Sequence, residues 1–172
     1  MKSRREKINY IVLSAVIAAF YAGLTFISGF FGLAYGPIQF RLSEVLNVLA
    51  VFTPAAIPGL TVGCFLSNIM SYNPVDMLFG TAATLISAVV SYLLRNKKIG
   101  KLPFLSFFSP VLFNSFLIGL EISLFFGDKG AAYPNFILNA AFVALGEAVI
   151  CFGLGTPFYF FLEKYSVRLK ER

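Results

Sequence analysis

Three carboxylates, Glu44, Glu121 and Glu147, lie within or at the edge of apolar stretches long enough to cross a bilayer. An ionisable side chain at membrane depth marks a functional site by default, because a buried, unpaired charge costs several kcal/mol. Each therefore requires a partner, a proton or a ligand. Glu44 ends the run Gly36-Pro37-Ile38-Gln39-Phe40-Arg41-Leu42-Ser43-Glu44, where Gly-Pro favours a turn that aims Gln39 and Arg41 at the mouth of a helix bundle. Two readings are open for this run. Arg41 and Glu44, at i,i+3, would neutralise one another with no ligand involved; alternatively, and preferred here, the three side chains contact a ligand.

Asn114 and Glu121 are seven residues apart, nearly two helical turns, and so share one face at different depths. Asn139 and Glu147 are eight apart, offset by roughly 80°, which is still one broad face. Counted from the external helix ends, Glu121 and Asn139 fall about one turn in, with Asn114 and Glu147 nearer mid-depth. With the first external loop these residues would line an outward-facing cavity. Asn47 and Asn68 divide evenly between site lining and interhelical hydrogen bonding, which for a membrane Asn averages about 0.6 kcal/mol. Asp76 is a further, weaker candidate. Arg41 is the one basic residue expected near the cavity, so at least two glutamates lack a counter-ion in the chain. A cationic or donor-rich ligand would satisfy them.

The elements that must position these groups follow from composition. A chain of 172 residues that is 58% hydrophobic and 13% charged exceeds what a soluble core can bury, so an all-α integral membrane protein is expected. Apolar segments near 8–31, 76–95, 103–126 and 135–162 each approach the roughly 20 residues of a spanning helix. Residues 42–72 are too long for one span and are interrupted at Thr53-Pro54 and Pro58-Gly59, which splits them into helices near 42–53 and 55–71. The expectation is a single domain over 1–172, a compact bundle of six transmembrane helices with both termini cytoplasmic. The positive-inside rule agrees, since only Arg41 and Lys129 of the 14 basic residues then fall outside. Merging 42–72 into one span would put Arg95 to Lys101 outside.

The net charge of +6 thus reports topology and contact with anionic lipid headgroups rather than nucleic-acid binding. The first apolar stretch is too long for a signal-peptide core and is kept as a helix. Cys64 and Cys151 fall within spans without CxxC spacing and read as packing residues, and histidine is absent, so no metal or other cofactor is expected. No phosphate-binding G-x-x-x-x-G-K-[ST] loop and no nucleophile–base pair occur, which leaves an enzyme reading unsupported. Ala15 and Ala19, continued by Ala18 and Ala22, form small-residue spacings on which another helix can approach closely. Gly59 and Gly63 have the same spacing, with packing inside the bundle the favoured use. Tyr35, Tyr72 and Tyr133 fit an interfacial belt.

The size, the six spans, the AxxxA helix and above all Ala34-Tyr35-Gly36-Pro37-Ile38-Gln39-Phe40-Arg41-Leu42-Ser43-Glu44 resemble the membrane-embedded substrate-binding (S) components of energy-coupling factor transporters. Among these the chain is most similar to the QueT family, associated with queuosine precursors, with further likeness in Pro54 to Gly59, Asp76 to Leu85 and Asn139 to Glu147. The resemblance implies an importer subunit of the bacterial cell membrane. Such a subunit captures a 7-deazaguanine such as preQ1 or preQ0 outside and docks on a transmembrane coupling protein driven by two separate ATPases. It implies that Ala15 and Ala19 face the coupling protein, that the protein topples to release ligand inside, and that loops 35–43 and 127–134 form the external gate. One carboxylate can accept the adjacent ring N–H and amine of such a base, and a second can neutralise an aminomethyl cation. Glu121 and Glu147 are the favoured pair, with Glu44, Asn139, Asn114 and Gln39 as further contacts. Two alternatives stand beside this: an S component for a riboflavin, thiamine or pyrimidine type of vitamin, and a self-sufficient carrier coupled to an ion gradient.

Overall fold

In the computed structural model the protein is described over residues 3–34, 39–69, 74–126 and 136–170, with side chains of the last segment described to 165. Residues 35–38, 70–73 and 127–135, and with them most of the expected gate loops, Tyr35, Tyr72, Tyr133 and Lys129, lie outside the described residues. The elements run α1 (Arg4–Phe30), a 3-10 segment (Leu42–Val48) passing into α2 (Leu49–Phe52), α3 (Ala56–Ile69), α4 (Pro74–Leu94), α5 (Phe104–Glu121) ending in a π turn (Ile122–Phe126), α6 (Phe136–Ala148), a π segment (Val149–Leu154) and α7 (Gly155–Lys170). Four helices are long and apolar enough to cross a membrane, the last of them combining α6, the π segment and α7, while Leu42–Phe52 and Ala56–Ile69 are shorter apolar helices. The described residues form no named strand.

Local sequence explains the boundaries. Ser3 and Glu6 form a reciprocal capping box, at 3.2 and 3.0 Å, so α1 begins at Arg4, ahead of its apolar stretch. Thr53 is extended (φ −146°, ψ 136°) because the following Pro54 disfavours helix there, and this separates α2 from α3 where expected. The helix expected over 42–53 is instead mostly 3-10. A seven-residue 3-10 run is uncommon, and it is held by a stripe of polar side chains on α1. Thr25 donates to Ser43 Oγ at 2.7 Å, the Leu42 amide donates to Ser28 Oγ at 2.9 Å, and Tyr21 reaches Glu44. The final helix also runs past residue 162 to Lys170, through a π register that precedes Pro157, whose missing N–H cannot serve the Gly153 carbonyl.

Small residues let the helices close. A Cβ on Gly59 would fall 2.8 Å from Ile17 Cβ, and one on Gly63 2.7 Å from Tyr21 Cβ, so α3 lies directly on α1 and the glycine pair serves internal packing as expected. Gly119 of α5 meets Ala140 of α6 in the same way. A core of Ile17, Tyr21, Leu46, Ala50, Leu60, Cys64 and Ala88 fills the space between α1, α3, α4 and the 3-10 segment. Between α4 and α5 the fastening is polar. Pro110, inside α5, removes the N–H that would serve the Ser106 carbonyl. Ser91 Oγ fills that place at 2.8 Å, Ser106 Oγ returns a bond to the Ser91 carbonyl at 2.8 Å, and Ser109 Oγ bonds the Ser87 carbonyl at 2.9 Å.

Candidate substrate-binding site

Chain direction gathers the polar residues at one end. Asp76 is in the first turn of α4, Asn68 at the end of α3, Glu121 at the end of α5 and Asn139 near the start of α6, with Gln39 and Arg41 leading into the 3-10 segment. At the opposite end the α4–α5 connection is clasped to α7 by Lys98, which donates to Glu163 at 2.9 Å.

The Arg41–Glu44 ion pair, the alternative to ligand contact, does not form among the described residues. Arg41 is the extended N-cap of the 3-10 segment (φ −80°, ψ 102°), so its side chain turns away from that helix toward α4. Its guanidinium pairs with Asp76 at 3.4 Å, and its Nε donates to the Ala34 carbonyl at 3.0 Å. Gly80 leaves room on α4 for Arg41 and for Asn68, whose amide donates to the Asp76 carbonyl at 3.3 Å. Glu44, 2% exposed, is held instead by Tyr21, whose hydroxyl donates to Oε1, and by Asn47, whose amide donates to Oε2 at 2.7 Å. In a 3-10 helix residues three apart eclipse, which sets Asn47 directly over Glu44.

Glu147 faces α5. Asn114 donates to its Oε1 at 2.8 Å, the Cys151 thiol lies 3.7 Å from its Oε2, and Asn114 also interacts with Glu44. Glu44, Asn47, Asn114 and Glu147 therefore form one inner group, in which the two carboxylates repel each other. The outer group is Arg41, Asp76 and Glu121. The charge of Glu121 opposes that of Asp76 and is drawn by that of Arg41, yet Glu121 is 2% exposed and its Oε2 has no hydrogen-bond partner among the described residues. Asn47 Oδ1 is a second buried acceptor in the same condition. The cluster is thus rich in acceptors and short of donors.

Gln39 is buried, and its backbone carbonyl presses on α6 at Gly146, where a Cβ would overlap it. Asn139 donates to Ser123 Oγ at 3.3 Å, two residues beyond Glu121 on the same helix. Ala15 and Ala19 are exposed on the outer face of α1. Among the described residues no group of three or more His, Cys, Asp or Glu could hold a metal ion, and both cysteines are free thiols. A cleft of about 270 Å³ opens between α1 and α3, with Ala22, Phe26, Phe30 and Leu66 in its walls. No carboxylate lines it, and its polar side chains are Thr25 and Ser67.

Sequence reasoning missed Tyr21 and Cys151. Tyr21 carried a signal, since a tyrosine in the middle of a spanning helix must find a partner for its hydroxyl when buried. Cys151 did so through its spacing, one turn beyond Glu147 on the same helix.

A family model described as QueT transporter matches residues 11–164. A protein of Lactococcus lactis subsp. cremoris (strain MG1363) named Queuosine precursor transporter QueT is 37% identical over 152 residues, covering 84% of this chain and 86% of its own length. No solved structure matches the chain. Because the family match runs from within the first helix almost to the end of the last, across every residue that contributes to the carboxylate cluster, the chain belongs to the QueT transporter family and is a transporter rather than an enzyme.

Proposed function

We propose that this protein is the substrate-binding membrane subunit of an energy-coupling factor importer, and that it captures a 7-deazaguanine precursor of queuosine outside the cell. The observation that carries the reading is the buried cluster of four carboxylates that, among the described residues, is served by one guanidinium, with orphaned acceptors on Glu121 and Asn47. A 7-deazaguanine is planar and donor-rich, with a ring N–H and an exocyclic amine side by side, which one carboxylate can accept together. The name of the Lactococcus relative supports the same ligand class. Glu147 with Asn114 and Glu44 forms the inner part of this site. Glu121, Arg41 and Asp76 form the outer part, and Gln39, Asn68 and Asn139 lie at its margin.

The topology is six membrane crossings with both termini cytoplasmic, in the bacterial plasma membrane, which leaves 12 of the 14 basic residues on the inner side. The two short helices serve as the second and third crossings. At about 2.0 Å per 3-10 residue and about 1.5 Å per α residue, Leu42–Phe52 reaches about 20 Å, close to the roughly 21 Å of Ala56–Ile69. Without a P-loop in the sequence, energy comes from a separate transmembrane coupling protein with two ATPases. The exposed Ala15 and Ala19 supply the docking face.

Calorimetric titration of the detergent-purified chain with aminomethyl and cyano 7-deazaguanine, with guanine, riboflavin and thiamine as controls, tests this. Saturable binding of a deazaguanine, weakened at least tenfold by Glu147→Gln, is expected. Binding of a control vitamin instead, or uptake by the chain alone in liposomes without ATPase partners, overturns the proposal.

A further inference from the structure

The two glutamates favoured by the sequence do not occupy equivalent places. Both oxygens of Glu147 already face a donor from the chain, Asn114 Nδ2 at 2.8 Å and Cys151 Sγ at 3.7 Å. Both oxygens of Glu44 are likewise held, by Tyr21 and Asn47. Glu121 is as little exposed as Glu44, but its Oε2 meets no donor among the described residues. Among the described residues the ionisable groups beside Glu121 are Asp76 and Arg41, and the Arg41–Asp76 contact is long, at 3.4 Å. A ligand ammonium at Glu121 would bring both the donor that Oε2 lacks and a charge to pair with the carboxylate.

Resting on the proposed 7-deazaguanine reading, we infer that Glu121 is the specificity-determining residue that receives a cationic arm of the ligand, so that the protein selects amine-bearing deazaguanines over neutral ones. Helix geometry supports the placement independently. Asn114 touches Glu147, and Glu121 follows Asn114 by seven residues, about 10 Å further along α5 at about 1.5 Å per residue. A fused bicyclic base bonded to Glu147 at its ring edge and to Glu121 through a one-carbon ammonium arm, with a hydrogen bond of about 2.8 Å at each end, spans a distance of that order. A neutral nitrile in the arm's place gives Glu121 neither a proton donor nor a charge.

The test titrates the full-length protein in detergent with aminomethyl and cyano 7-deazaguanine, for the wild type, Glu121→Gln and Glu121→Asp, in sodium buffer and again with sodium replaced by choline. The wild type is expected to favour the aminomethyl compound by roughly 10- to 100-fold, the usual worth of a charge-assisted hydrogen bond. Glu121→Gln is expected to erase that preference, with a cooperative thermal unfolding transition in detergent showing that the variant folds, and Glu121→Asp to keep a reduced preference. Equal wild-type affinities, or loss of both ligands in the same proportion on Glu121→Gln, overturn the inference and leave the proposed function standing. An affinity for both compounds that follows sodium overturns it as well, because the positive charge at Glu121 would then be an alkali ion. Failure of both compounds to bind a folded wild type overturns the inference through the proposed function itself.

Discussion

Replacing Ser91 by alanine isolates a hydroxyl that stands in for a missing backbone hydrogen bond. Within α5 the Ser106 carbonyl would ordinarily receive the N–H of residue 110, but that residue is proline, and Ser91 Oγ from α4 donates to it at 2.8 Å. Both serines are about 3% exposed or less, so water does not reach the site. An interhelical hydrogen bond in a membrane protein averages about 0.6 kcal/mol and reaches about 1.7. The value here belongs at the upper end, because the carbonyl has no α-helical donor to return to and an unsatisfied buried group costs about 1–3 kcal/mol. A loss of about 1.5 kcal/mol is expected for Ser91→Ala, or a fall in Tm of about 3–6 °C for a chain of this length, read by thermal unfolding in detergent. The mechanism makes a sharper demand in the background Pro110→Ala. There the N–H of residue 110 is restored to the Ser106 carbonyl, so the Ser91 hydroxyl becomes dispensable and Ser91→Ala should cost at least about 1 kcal/mol less. An equal cost in both backgrounds would refute the reasoning, and no cost in either would show that the contact contributes nothing.

Three further outcomes follow from contacts at the site and on the outer face of α1. Tyr21→Phe keeps the buried ring but strips Glu44 of one of its two donors, and should lower unfolding stability by about 1–3 kcal/mol; an unchanged melting curve would mean that Glu44 does not depend on α1. Gly146→Ala places a methyl on the Gln39 carbonyl and should shift the segment that carries Arg41, weakening ligand binding about tenfold, or about 1.4 kcal/mol. Gly153→Ala, facing open space on the same continuous helix, is the control, and equal calorimetric affinities for the two variants would remove the steric argument. Substituting the exposed Ala15 and Ala19 by leucine should abolish ATP-driven uptake with the coupling module while leaving ligand affinity unchanged, and a normal uptake rate would reassign the docking face.

What the sequence made legible was governed by periodicity and by proline. The break at Thr53-Pro54 is where it was expected, because the restriction on a residue before proline is local. Glu44, Asn114 and Glu147 come together because helix period and chain direction alone bring them to one region. The partners of these groups were not legible. Pairing Arg41 with Glu44 assumed an α-helical i,i+3 geometry, whereas the chain is extended at Arg41 and only then enters a 3-10 helix, and Asp76 is reached across a turn whose path no local rule fixes. The early start of α1 was readable after all from Ser3 and Glu6, a capping box outside the apolar stretch. The π segments after Glu121 and after Glu147 were not, since a single i→i+5 register change leaves no compositional trace.

The division of labour among the carboxylates has an energetic logic. A buried acid supplied with donors by its own chain is held in one place whether or not ligand is present, and Glu44, tied to α1 by Tyr21 and to its own helix by Asn47, also fastens the short 3-10 segment to the bundle. An acid left without donors contributes nothing to the ligand-free fold and opposes it by its desolvation. Glu121 is in that position, beside a second carboxylate and at the end of a helix that continues in π register. Retaining such a group lowers stability and is compensated only when something else brings the missing donor, which is the behaviour of residues that serve binding rather than folding. The same comparison explains why burial alone does not separate the two glutamates: both are 2% exposed, and only the donors that the chain provides distinguish the acid that the fold ties down from the one it leaves unsatisfied.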